Sequence, residues 1–114
     1  MGEHTVLGIY ADGKYTELTD EGGYYNTYDI VNNAMFYLDE FSSQSYTGTL
    51  MLYKNGRSQK IDADVYSFDA RSDDYIVYIK DFSTRRNYGD LYYKKGNGKP
   101  VKVDNDVSYI ITLY

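Results

Sequence analysis

The sequence predicts an all-β fold assembled from antiparallel meanders, and three observations carry that prediction. The 114 residues include 16 tyrosines and 4 phenylalanines with a single proline, and aromatic and β-branched side chains suit the pleated, half-covered surface of a strand. Two related hexapeptides, "KIDADV" from Lys60 and "KVDNDV" from Lys102, stand 42 residues apart. Asp-Gly or Asn-Gly pairs recur between apolar runs at Asp12-Gly13, Asn55-Gly56 and Asn97-Gly98. Such pairs adopt the positive φ angles that two-residue hairpins demand.

In chain order, residues 1–5 ("MGEHT") read as a tail or cloning remnant, and residues 6–114 as one repeat-built β domain. The first unit, 6–32, is incomplete. It opens with "LGIYADG", which matches "LMLYKNG" 43 residues later. The second unit, 34–71, begins with "FYLDEF", matching "VYIKDF" 41 residues later. The polar loop Ser42–Gly48 then leads to a strand ending at Asn55-Gly56. "KIDADV" continues the unit, with Asp62-x-Asp64 at a corner between a third and a fourth strand, because short carboxylates cap tight turns through nearby backbone amides. The third unit, 74–114, shows all four strands. Tyr75–Ile79 is continuously apolar, as for a strand covered on both faces. Asp90–Lys95 follows the polar loop Ser83–Gly89. Lys99–Asp104 alternates, as a half-exposed strand does, and Pro100 opens it at little cost if it lies at an edge. Val107–Tyr114 is the expected fourth strand. The count is about eleven strands.

Four-stranded units of this length have the spacing of β-propeller blades. The stretch "YIVYIKDF…GDLYYKKGNGKPVKVDNDVSYI" resembles the Tyr-rich TolB-like and WD40-like propeller repeats of bacterial, often Gram-positive, surface or membrane-anchored proteins. The resemblance implies a propeller-like array of about three units, the first incomplete, and an extracellular or cell-surface location. A single β-sandwich or barrel is the alternative. It also implies ligand or protein binding, and it transfers no catalytic residue. Fewer than three blades cannot close a ring alone. The apolar ends "VLGIY" and "VSYIITLY" therefore predict neighbouring blades of a longer parent chain, or a second copy, as partners.

Charge and composition narrow the function. A formal net charge of −5 argues against nucleic acid, whose phosphates are met by Lys and Arg. No run reaches the length of a membrane-spanning helix. Without cysteine there is no disulfide, zinc cluster or thiol nucleophile, and no cofactor is expected. His4 is the only histidine, and it falls in the tail, so no triad is expected. Asp39-Glu40 and Asp73-Asp74 are adjacent pairs whose side chains diverge on extended backbone, which disfavours paired-carboxylate hydrolysis. Asp62, Asp64, Asp104 and Asp106 are oxygen donors of a kind calcium accepts, but turn capping explains them more simply. The loops Ser42–Thr47 and Ser83–Tyr88 lie at one end of the units. Their Tyr46, Arg85, Arg86 and Tyr88 are the candidate contact residues. The expectation is a non-catalytic protein-binding or scaffold module. The alternatives are a carbohydrate-binding module using exposed tyrosines and an accessory domain of a hydrolase.

Overall fold

The structure, a computed structural model, describes residues 5–22 and 28–113. His4 lies outside the described residues. The described residues form nine strands and no helix: β1 (Leu7–Ala11), β2 (Lys14–Thr19), β3 (Tyr28–Val31), β4 (Ala34–Ser42), β5 (Thr47–Lys54), β6 (Arg57–Ser72), β7 (Tyr75–Ser83), β8 (Tyr88–Lys95) and β9 (Val101–Val107). β1 and β2 make a separate hairpin, and β3 to β9 make one antiparallel meander in chain order. The fold is all-β, and the seven-stranded sheet curls into a half-barrel.

Registers explain the matching sequence stretches. Every cross-strand pair of β4–β5 recurs in β7–β8 displaced by 41 residues on both strands, from Ala34–Lys54 against Tyr75–Lys95 to Ser42–Thr47 against Ser83–Tyr88. The β1–β2 pairs recur in β5–β6 displaced by 43 residues. The left-handed residues recur at 41 residues for Glu40 and Asp81 and for Tyr46 and Asn87, and at 42 for Asp64 and Asp106. The Asp12-Gly13 and Asn55-Gly56 turns adopt the positive φ angles their sequence requires.

The curl comes from bulges. An extra residue in one strand bends it and raises the local twist. β6 shifts register twice against β5 and twice against β7. Here the structure corrects the sequence reading. Asp62-x-Asp64 is no corner between strands. Asp62 does accept its neighbour's amide, from Ala63 at 2.8 Å, and Asp64 is left-handed at φ 57°. Yet the chain bends rather than reverses, and β6 runs on for 16 residues. Its first part pairs with β5, and from Val65 it pairs with β7. Burial of Val65 and Ala70 in the core holds the second part there.

The expected strand over Val107–Tyr114 is likewise corrected. Val107 closes β9, and 108–113 has no ladder. β3 and the second part of β6 are strands because β4 and β7 pair with them. The segment 108–113 has no such neighbour among the described residues. Pro100 immediately precedes β9, an edge strand of the sheet, where a missing donor is tolerated.

The core lies on the concave side. Ala34, Phe36, Leu38, Leu50 and Leu52 share one face of β4–β5 by register, and Ala70, Ile76 and Tyr78 share one face of β6–β7. The two faces meet in a single buried cluster, with Phe68, Ile61 and Tyr92 packed against it. Displacement by 41 residues carries Phe36 to Val77 and Met35 to Ile76. The two sheet segments therefore meet through faces that are opposite in the displaced numbering. All five residues Ala34–Leu38 are buried, so β4 is covered on both faces.

Candidate functional site

Two clefts lie between segments of the fold. The first cleft, about 820 Å³, lies between β1 and the face of β3–β4–β5 that carries Tyr28, Ile30, Met35 and Tyr53. Residues of three turns line its rim: Asp12, Asn32 with Asn33, and Asn55 with Gly56. The second cleft, about 280 Å³, lies between β5 and the β6–β7–β8 segment. Its lining residues Leu52, Lys54, Asp73, Asp74, Ile76, Lys94 and Gly96 stand at the displaced positions of Ile9, Ala11, Asn32, Asn33, Met35, Tyr53 and Asn55. The two clefts are thus one geometry with different side chains. Across the second, Lys54 pairs with Asp73 at 2.8 Å, and on one wall Lys94 donates to the Gly96 carbonyl at 2.8 Å. Across the first, Ala11 and Asn32 leave no ion pair possible.

Deeper in, each pair of segments is tied by a polar contact at matching places. Thr19 donates to the Asp39 carboxylate in the first. In the second, Lys80 donates to Asp62 at 2.8 Å and the Tyr78 hydroxyl to the other Asp62 oxygen at 2.7 Å. The Lys80 and Asp62 side chains are only 17% and 18% exposed, and the ammonium lies 5.5 Å from the Tyr92 ring centre. Burial acts to raise the Asp62 pKa, but hydrogen bonds from Lys80, Tyr78 and the Ala63 amide outweigh it and hold it below the ordinary value. Burial likewise acts to lower Lys80, and its bond to Asp62 holds it above its ordinary value. Tyr78 is pushed up by burial and by its bond to Asp62. This cluster ties β6 to β7.

The four aspartates weighed for calcium do not converge. Asp62 is committed to Lys80 and Tyr78, Asp104 accepts the Asn105 amide at 2.8 Å, and Asp64 and Asp106 are exposed bulge residues. Among the described residues no three His, Cys, Asp or Glu side chains group as a metal site would.

The candidate contact residues lie at the end of the sheet opposite the clefts' turns. Each loop closes on itself, Tyr46 N–H donating to the Ser42 carbonyl and Asn87 N–H to that of Ser83. Arg86 reaches the Tyr88 hydroxyl at 3.3 Å, and Arg85 and Tyr46 are exposed and half-exposed. Tyr46 and the Arg85–Tyr88 group sit on separate loops. The sequence reading passed over the clefts because their residues belong to turns and strand ends that are far apart in the chain. Asp12-Gly13 and Asn55-Gly56 were legible as turns, Asn32-Asn33 was not singled out, and their convergence at one end was the missing step.

One more surface is open. The segment 108–113 is held to β6 through Thr112 and Asp69, and to the β7–β8 loop by Ser108 donating to the Asn87 carbonyl. Asp29 similarly accepts the Ala70 amide at 2.9 Å, so β3 is tied to β6 as β6 is tied to this segment. Among the described residues no helix is long and apolar enough to cross a membrane. No family model matches the chain, nor does any curated protein or solved structure.

Proposed function

We propose that the chain is a non-catalytic protein-binding or scaffold module of propeller type, a stack of repeated units whose open end takes up a further unit. The observation that carries this reading is the exposed apolar surface beside the outer face of β7–β8. On that face Val77 and Tyr93 stand in the places of Phe36 and Leu52; Phe36 and Leu52 are buried beneath the next segment, whereas Val77 and Tyr93 keep partial exposure. Val101 extends the row on β9 and is exposed. Beside it, Tyr109, Ile111 and Leu113 are 78%, 82% and 85% exposed. A large exposed apolar patch marks an interaction site, and an unpaired edge adds backbone donors and acceptors for an incoming strand.

The partner that fits is a strand pair presenting an apolar and aromatic face, as Ile76 and Tyr78 do inside the molecule. A second copy offers the cross-strand pair Tyr10–Tyr15, both exposed on the β1–β2 hairpin. Such head-to-tail contact closes into a ring or extends as a filament. The resemblance to propeller repeats of bacterial surface proteins supports an extracellular or cell-surface setting.

Sedimentation velocity from micromolar to millimolar concentration tests the reading. Concentration-dependent association is expected, together with slowed amide exchange in residues 107–113. Ile111→Lys, on an exposed position where folding is unaffected, should weaken association about tenfold, roughly 1.4 kcal/mol. A protein that stays monomeric throughout, with exchange unchanged, would refute the proposal.

A further inference from the structure

We infer that the first cleft is a binding site for a neutral oligosaccharide. This inference rests on a different surface from the open end of the stack, although Tyr10, which a second copy would offer to that end, also lines the cleft, and the two are told apart by titration at concentrations where the protein is monomeric. The second cleft serves as an internal reference, because it shares the backbone geometry. There the walls carry two lysines and two aspartates, and Lys54–Asp73 ties one wall to the other. At the corresponding places the first cleft has Ala11, Tyr53, Asn32 and Asn33, and its volume is about 820 Å³ against about 280 Å³. Each change removes charge, and Tyr53 brings an aromatic ring in place of Lys94.

The chemistry of the lining selects the ligand. Among the described residues that line the first cleft, Asp12 is the one formally charged, which gives a charged ligand no matching set of counter-ions. Asn32, Asn33 and Asn55 each offer both a donor and an acceptor. A hydroxyl group needs that combination, since it donates and accepts at once. Tyr28 is half-exposed and Tyr53 partly so, both on the floor beside Ile30 and Met35. Their rings can cover the apolar C–H face of a pyranose. Few convergent polar groups over an apolar and aromatic floor are the general composition of a small-ligand site. A peptide or nucleic acid would bring charge or an extended backbone that the turn-lined rim does not complement. The cleft is open at its rim, so a chain of sugars can lie across it.

The experiment is NMR titration of the labelled protein with cellohexaose, maltohexaose and chitohexaose, with polygalacturonate as an acidic probe. At least one neutral oligosaccharide is expected to shift the side-chain amide signals of Asn32, Asn33 and Asn55. Tyr53→Ala should weaken that binding about tenfold or more. Because Tyr53 is partly buried, a second variant separates binding from folding. Ala11→Lys with Asn32→Asp, both exposed positions, recreates across the first cleft the tie found in the second. It should abolish binding in a protein whose spectrum remains folded, while Tyr109→Ala leaves binding unchanged. The inference is overturned by shifts absent from the cleft with every neutral probe, by preference for polygalacturonate, or by undiminished binding in the folded double variant.

Discussion

Gly89→Ala is expected to destabilise the protein by about 3 kcal/mol, at the upper end of the range for overpacking. Gly89 faces the bulge that closes β7. A methyl group there would stand 2.7 Å from the Lys80 carbonyl oxygen, 2.9 Å from the Ile79 Cγ2 and 3.0 Å from the Phe82 Cα. Two of these obstacles are backbone and cannot rotate aside. Relief would require moving the Lys80–Ser83 bulge, and with it Ile79 in the fully covered centre of the sheet. For a chain of this size the loss corresponds to a fall in melting temperature of about 12 °C. Gly48→Ala should behave alike and somewhat more mildly, since its methyl group would meet the Asp39 oxygen at 2.8 Å and other atoms beyond 3.1 Å. Gly56→Ala is the comparison that isolates the cause. Gly56 has φ 77° with nothing within 4 Å of an added methyl group, so only left-handed strain remains, about 1 kcal/mol. Urea unfolding of the three variants checks the order. Equal losses at Gly89 and Gly56 would show that the bulge is looser than described.

Asp62→Ala should cost about 2 kcal/mol, less than for a fully dry ion pair because solvent reaches both partners. The variant leaves the Lys80 ammonium in the concave interior without its anion and the Tyr78 hydroxyl without its acceptor. Lys80→Met in the same background should recover part of the loss, because the stranded charge is then gone. The pH dependence has a fixed sign. Asp62 has its pKa lowered by folding, so its contribution is fully present above its ordinary value near 3.8 and is lost as pH falls through the lowered value. Lys80 and Tyr78 are raised, so their contributions hold below their ordinary values of 10.5 and 10.0 and fade as pH rises through the raised ones. Thermal melts of the wild type should weaken at both extremes. Asp62→Ala should show a flatter acid limb, and an unchanged one would dissociate the pair from acid stability.

Local pattern made much of the fold legible. Tyr75–Ile79 and "FYLDEF" lie in covered strands, and Asp12-Gly13 and Asn55-Gly56 turn hairpins, because these features follow from side-chain alternation and φ preference alone. The 41-, 42- and 43-residue offsets between matching stretches reappear as displaced registers. What local pattern could not supply was the choice of neighbour. Asp62-x-Asp64 reads the same whether the chain reverses or bends, and the burial of Val65 against β7 makes the difference. "VSYIITLY" has every property of a strand except something to pair with. For the site, Tyr46, Arg85, Arg86 and Tyr88 were singled out because their polar loops fall at one end of the repeated units. Asn32, Asn55 and Tyr53 come together only once three hairpins stack.

The bent β6 sets an order on biosynthesis. One half of it completes the sheet begun by β4 and β5, while the other half underlies β7. Emerging from the ribosome N-terminus first, the chain exposes the Phe36–Leu52 face until Ala70, Ile76 and Tyr78 have left the exit tunnel. A translational pause in that interval would lengthen the life of a sticky half-sheet, so smooth elongation through residues 57–83, or a chaperone holding that face, becomes a requirement written into one strand.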